Sequence, residues 1–158
     1  MKPPQGPALA EGLRLLARRP LSEAGLRHRL AQKGFAPEEV EAAVGRLKAM
    51  GYLDDRRFAQ GWAATRQAHR PRARWLVARE LVAQGVDPQV AREALPPDDD
   101  PALALRCAEA WAPRLQGLPR HTFLRRLYAY LRRRGFSPSL ARQVSLEVWR
   151  RTPTETSG

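Results

Sequence analysis

Apolar residues recur along this chain at intervals of three and four, and no stretch alternates strictly between apolar and polar. That period predicts helices almost throughout. Ala, Leu, Arg and Glu dominate, β-branched residues are sparse, and Gly and Pro fall between the periodic segments, where they interrupt helices. One pattern occurs three times: Leu30-Ala-Gln-Lys-Gly34-Phe35-Ala-Pro37, Leu81-Val-Ala-Gln-Gly85-Val86-Asp-Pro88 and Leu131-Arg-Arg-Arg-Gly135-Phe136-Ser-Pro138. The glycines lie 51 and 50 residues apart. Leu26, Val77 and Leu127 stand eight residues before them, and Val40/Ala43, Ala91/Ala94 and Ala141/Val144 follow in register. Agreement at so many offsets marks an internal repeat.

The pattern has a simple mechanical reading. Two apolar residues a turn apart mark the core face of a helix, and a glycine able to adopt the left-handed conformation stops it. The next apolar residue folds back on the last turn, and proline opens the following helix, where its missing N–H costs nothing. A further helix precedes each such pair, at about 8–19, 55–69 and 101–115. The expected fold is all-α: three tandem three-helix repeats, at 8–50, 52–95 and 101–151, forming an elongated, curved solenoid-like body. Gly51-Tyr-Leu-Asp-Asp55 separates the first two repeats, and Pro96-Pro-Asp-Asp-Asp-Pro101 forms a hinge between the second and third. Residues 152–158 read as a disordered tail.

Charge sharpens the picture. The 158 residues carry 28 basic and 16 acidic side chains, a net charge of +12. Only Lys2, Lys33 and Lys48 are lysines; the other 25 basic residues are arginine. Residues 1–100 hold a net +4 and residues 101–158 a net +8, so the excess gathers in the last repeat. Such an imbalance favours a polyanionic partner. Cys107 stands alone, which excludes an internal disulfide and suits the cytoplasm. No apolar run marks a signal peptide or a membrane span.

Leu15-Leu-Ala-Arg-Arg-Pro-Leu-Ser-Glu-Ala-Gly-Leu-Arg-His-Arg-Leu-Ala-Gln-Lys-Gly-Phe35 resembles the opening repeat of the RecX family, and Gly51-Tyr-Leu-Asp-Asp-Arg-Arg-Phe-Ala59 resembles its most recognisable box. Arg79-Glu-Leu81 through Gly85-Val86 is similar to the family's second repeat, and Leu127-Tyr through Arg134-Gly-Phe136 to its third. The likeness covers about residues 10–150. It implies a regulator of the RecA recombinase that binds the recombinase filament on DNA and restrains its ATP hydrolysis and strand exchange. It also implies weaker, non-specific affinity for single- and double-stranded DNA. One departure is Gly25, three residues after the expected N-cap Ser22, which removes the acceptor of a capping box. Another is the acidic, Pro-rich 96–101 linker.

Catalytic chemistry finds little support. No phosphate-binding glycine loop, nucleophile elbow or His-Glu-x2-His pattern occurs, and His28, His69, His121 and Cys107 lack metal-ligand spacing. Asp54-Asp55 and Asp98-Asp99-Asp100 precede helices, where acids cap free N–H groups. The expectation is a non-enzyme with no cofactor and no metal.

Arginine faces are the better candidates. At roughly 100° per residue, Phe123, Leu124, Leu127 and Leu131 share one side of the third repeat's middle helix. Arg125, Arg126, Arg132 and Arg133 fall opposite, as contacts for nucleic acid or filament, with Arg134 on the flank. In the second repeat, Arg72, Trp75 and Arg79 align outward at i, i+3 and i+7. An indole between two arginines suits stacking on a base or anchoring a protein; packing on a neighbouring repeat is the alternative, and the sequence leaves both open. Tyr128 and Tyr130, and Trp62, Trp111 and Trp149, read as packing residues. The expected protein is a monomer that binds the RecA filament and DNA. The alternative is a free-standing DNA-binding or transcription-regulating protein, against which Glu38-Glu39-Val-Glu41 would repel phosphates just where a recognition helix should begin. A purely protein-binding scaffold is a third reading, expected to show little salt sensitivity.

Overall fold

The structure, a computed structural model, describes residues 6–69, 71–96 and 99–153. Among these are nine α-helices and no strand: α1 (Pro7–Arg18), α2 (Glu23–Gln32), α3 (Pro37–Ala49), α4 (Asp55–His69), α5 (Arg74–Ala83), α6 (Pro88–Ala94), α7 (Asp100–Trp111), α8 (Arg120–Arg133) and α9 (Pro138–Arg151). A single 3-10 turn, Ala112–Leu115, follows α7, so the helix expected over 101–115 tightens over its last four residues. The tail beyond Pro153 and residues 97 and 98 of the expected hinge lie outside the described residues.

The helices form three tandem sets of three, each with the expected turn. Gly34, Gly85 and Gly135 have φ of 92°, 84° and 91°. After each, the N–H of the apolar residue reaches back to a carbonyl five residues earlier: Phe35 to Leu30 at 3.4 Å, Val86 to Leu81 at 3.1 Å and Phe136 to Leu131 at 3.2 Å. The glycine N–H binds a carbonyl three residues back in each case, which satisfies the helix end in the Schellman manner. Pro37, Pro88 and Pro138 then open α3, α6 and α9.

The chain divides into two compact units: residues 1–63 with 78–95, and residues 64–77 with 96–158. The dividing lines run through α4 and α5 rather than between repeats. In the first unit, Leu26, Leu30, Val44 and Leu47 form the centre of one apolar cluster. Gly12 on α1 makes the close approach possible, because a Cβ there would lie 2.7 Å from a Leu47 methyl. A second cluster joins Ala59, Leu81, Val86 and Ala91, with Phe58 and Trp62 against it. In the other unit, Phe123, Leu127, Leu131 and Phe136 are buried with Leu103, Leu115 and Val144. Each such side chain contributes roughly 1.5–3 kcal/mol relative to exposure. Trp111 stacks on Tyr130 at 4.5 Å, and Trp149 meets Phe123 edge-on at 5.1 Å. These aromatics pack, as their placement beside the apolar face implies.

Candidate functional site

What holds the helices in place is a joint made twice from the same parts. The first turn of α2 receives the turn that ends α5: the Ser22 hydroxyl donates to the Gln84 carbonyl at 2.6 Å and accepts from Gly25 N–H at 3.0 Å. Fifty-one residues later, the first turn of α5 receives the turn that ends α8: Ala73 N–H donates to the Arg134 carbonyl at 2.9 Å, and the Trp75 indole N–H to the Gly135 carbonyl at 2.6 Å. An aspartate completes each joint. Asp55 accepts from Glu23 N–H at 2.8 Å and Asp100 from Arg74 N–H at 3.0 Å.

These aspartates correct the sequence reading. Asp54 caps its own helix, accepting from Arg57 N–H at 3.2 Å, but Asp55 and Asp100, each the first residue of its helix, cap the middle helix of the preceding set. Asp99, the N-cap residue of α7, makes no side-chain cap bond, and Asp98 lies outside the described residues. Gly25 removes the capping box, yet the Ser22 cap forms without it.

Burial pushes the Asp55 carboxyl above the usual range, more than the Glu23 N–H lowers it. A carboxyl so raised binds its proton more tightly in the folded chain. Its contribution is present below the unfolded value of about 3.9 and lost as pH rises through the folded one. Asp55→Asn keeps the acceptor and removes the buried charge, so it is expected to be no less stable than wild type at neutral pH. Asp55→Ala removes the cap and is expected to cost about 1 kcal/mol in urea unfolding. Equal losses in both variants would show that the charge, not the bond, matters.

The joint also relocates the arginine–tryptophan alignment. With its N–H committed to Arg134, Ala73 caps a helix that begins at Arg74, so Arg72 precedes the helix and is half-buried. Arg72 therefore does not share a helical face with Trp75 and Arg79, as the period implied. Trp75 is 54% exposed while its N–H is tied down, so the ring is both packed at one edge and open on its surface. Arg79 is exposed one turn further along α5, in the stretch that belongs to the other unit.

On α8, Arg125, Arg126, Arg132 and Arg133 are all exposed, opposite the buried Phe123, Leu127 and Leu131. The helix separates them into two flanks. Arg126 and Arg133 are seven residues apart on one side, about 10 Å along the axis. Arg125 lies about a quarter-turn away and lines a groove with Leu124, Tyr128, Arg142, Ser145 and Leu146. Arg132 donates to the Phe136 carbonyl at 2.7 Å, securing its own turn. Arg134, on the flank, lies over the Tyr130 ring at 5.2 Å.

Ion pairing is denser in the first unit than on this face. In the first unit, Arg27 pairs with Glu41 at 2.9 Å, Lys33 with Glu11 at 2.5 Å, Lys48 with Glu23 at 2.9 Å and Arg56 with Glu93 at 3.1 Å. The Lys33 bond holds the Glu11 carboxyl below its usual range, and Glu23 raises the Lys48 ammonium. After Asp100 the sequence has only Glu109, Glu147 and Glu155 as acids, and the first two both bind Arg151. Arg125, Arg126, Arg133 and Arg142 thus have no ion-pair partner among the described residues. The sequence had located the excess charge but not which arginines stay unpaired.

Reactive chemistry is sparse here. Among the described residues no group of three or more His, Cys, Asp or Glu side chains is placed to hold a metal, and no helix is long and apolar enough to cross a membrane. Cys107 is buried, its thiol donating to the Pro71 carbonyl at 3.3 Å, and burial pushes its pKa up. Its contribution to stability is full below the unfolded thiol value of about 8.5 and is lost as pH rises through the folded one. In the folded chain a thiol-specific reagent should leave Cys107 unmodified near that pH, and label it once urea unfolds the protein. Prompt labelling without denaturant would contradict the burial.

Comparison with known proteins supplies a context for this geometry. Residues 8–47 match the family model described as RecX, first three-helix domain, and residues 54–95 match RecX, second three-helix domain. A regulatory protein RecX of Thermus thermophilus is 42% identical over 151 residues, 96% of each chain. One from Thermobifida fusca is 34% identical over 92% of this chain and 85% of its own. Among solved structures, a crystal structure of RecX from Lactobacillus salivarius superposes with a TM-score of 0.75 at 16% identity, over 89% of this chain and 94% of that one. A crystal structure of regulatory protein RecX does so with a TM-score of 0.72 at 20% identity, over 87% and 69%. At these identities the structures speak for the fold alone.

Proposed function

This chain belongs to the RecX family, and from that premise we propose that it binds the filament a RecA recombinase forms on DNA and inhibits the filament's ATP hydrolysis, strand exchange and recombination. A regulatory role follows from the family itself. The observation that carries the finer reading is the exposed arginine face of α8, which has no ion-pair partner among the described residues, whereas Arg27, Lys33, Lys48 and Arg56 of the first unit each hold a carboxylate. Arg126 and Arg133 face the phosphates of the filament's DNA. Their axial separation of about 10 Å spans the rise of about three nucleotides, so each guanidinium can meet its own phosphate. Trp75, open between its tether and solvent, serves as an apolar contact, and Arg79 adds charge further along α5.

Regulation of this kind needs no reaction at this chain. It shifts the filament by preferring one of its states, and the shift is limited by the difference in affinity for the two. The protein acts in the cytoplasm as a monomer without a cofactor, and its grip on naked single- or double-stranded DNA is weaker and non-specific. Exposed Glu38, Glu39 and Glu41 at the start of α3 argue against a free-standing DNA reader using that helix.

The test is ATP hydrolysis by the cognate RecA on single-stranded DNA, titrated with this protein at fixed salt. Inhibition at concentrations well below those that coat naked DNA is the expected result. No effect while the protein demonstrably binds DNA would replace this reading with that of a free-standing DNA-binding protein.

A further inference from the structure

The two joints show what the first turn of a middle helix is for in this chain. In α2 it receives the Gly85 turn, so closely that a Cβ on Gly85 would lie 2.2 Å from the Ala24 Cβ. In α5 it receives the Gly135 turn, whose Cβ would lie 3.2 Å from Ala73 and 3.3 Å from Leu76. Both incoming turns present carbonyl oxygens, and both joints add a carboxylate from the same incoming set of helices. The face is built to accept a chain turn with acceptor atoms.

The third middle helix has the corresponding stretch, and among the described residues no glycine turn is hydrogen-bonded to it. Arg125 stands fifty residues after Trp75, and Trp75 fifty-one after Ala24. α8 starts earlier, at Arg120, so the main-chain N–H groups of this stretch are inside the helix and cannot serve as donors. Side chains take over the donor role. Arg125 and Arg142 line a groove of about 370 Å³ between α8 and α9, with Leu124, Tyr128 and Leu146 as its apolar lining. Ser145 closes the floor, its hydroxyl donated to the Ala141 carbonyl at 2.7 Å. Neither arginine has an ion-pair partner among the described residues.

We propose that this groove takes an acidic segment of a protein partner, with carboxylates held by Arg125 and Arg142 and one apolar side chain laid on Leu124, Tyr128 and Leu146. A carboxylate matches the planar fork of a guanidinium and replaces the aspartate and carbonyls that fill the two earlier joints. The same arginines disfavour a second copy of this chain. Its unoccupied Gly34 turn would bring Lys33 to the position where the internal joints bring Gln84 and Arg134. The proposal rests on the reading that the third set of helices carries the partner contacts, and assigns DNA to the other flank of α8.

The test uses the full chain, fluorescence anisotropy and two labelled probes: a short peptide with carboxylates on both sides of one phenylalanine, and oligothymidylate. Wild type is expected to bind both. Arg125→Gln with Arg142→Gln should weaken the peptide about tenfold or more, while oligothymidylate loses at most about threefold. Both side chains are exposed and unpaired, so thermal unfolding of the variant should match wild type, and Leu146→Glu supplies a second variant that repels the peptide. Absence of peptide binding by wild type would overturn the proposal. So would a loss of oligothymidylate binding as large as that of the peptide, which would make the groove a nucleic-acid site. Neither probe contains a recombinase, so failure to inhibit RecA would sink the filament reading without deciding this one.

Discussion

Gly85→Ala should destabilise this protein by about 2–5 kcal/mol, and Gly34→Ala by only about 1–2. Both glycines hold positive φ, 84° and 92°, so both variants force an L residue into the left-handed region. Only at Gly85 does the added methyl meet something: the Ala24 Cβ at 2.2 Å, whereas at Gly34 nothing lies within 4 Å. The surplus at residue 85, about 1–3 kcal/mol, is the cost of prising the turn away from α2. The Ser22–Gln84 bond would stretch with it. Urea unfolding followed by circular dichroism checks both variants, and equal losses would mean that the joint yields without resistance. Gly135→Ala should fall between them, because its contacts begin at 3.2 Å.

The second large effect concerns salt. Each phosphate contact that a guanidinium makes contributes about 0.7–0.9 to the slope of log affinity against log salt. Arg126→Gln with Arg133→Gln removes two such contacts and no ion pair among the described residues, so stability should hold or rise slightly. A fourfold rise in salt should then weaken wild-type binding to single-stranded DNA roughly sevenfold more than it weakens the variant. Inhibition of the RecA filament should fall in parallel. Identical slopes for the two proteins would take this flank of α8 out of the interface and move the search to Trp75 and Arg79. Arg132 is left in place because its bond to the Phe136 carbonyl would confuse a loss of contact with a loosened turn.

Helix identity, turn chemistry and the core face could all be read from the sequence, because each depends on residues within one or two turns of each other. Leu30-x3-Gly34-Phe35-x-Pro37 contains its own stop, its own fold-back contact and its own restart, and the same holds at Gly85 and Gly135. The joints could not be read that way. An aspartate ahead of a helix looks like that helix's cap, and Asp54 is one; Asp55, its neighbour, serves a residue thirty-two positions earlier. Nothing local separates the two. The repeat did hold a usable signal: Glu23 and Arg74 are at equivalent positions, and each is met by the first residue of the helix that opens the next set. The site shows the same division. Exposure of the four α8 arginines followed from period alone, but their splitting between a groove and an open flank depends on where α9 packs. Arg72 was misplaced because a wheel assumes an unbroken helix, and the carbonyl of Arg134 moves the start of α5 to Arg74.

The dividing line through α5 has a consequence for how the protein breathes. The chain repeats about every fifty residues, but it packs on a different partition: residues 64–77 belong with α7, α8 and α9, while residues 78–95 belong with α1, α2 and α3. Where such partitions act as cooperative opening units, amide hydrogens within one continuous helix exchange with solvent through two separate events. The amides of α5 should therefore fall into two classes of protection that meet near residues 77 and 78, each tracking the unfolding of its own unit. A fragment ending at Leu95 keeps both matched family domains yet strips the first half of α5 of its partners, leaving the Ala73 N–H and the Trp75 indole without the carbonyls that hold them. Its α5 should fray from the front, and the sequence boundary between domains would not be a boundary between things that fold.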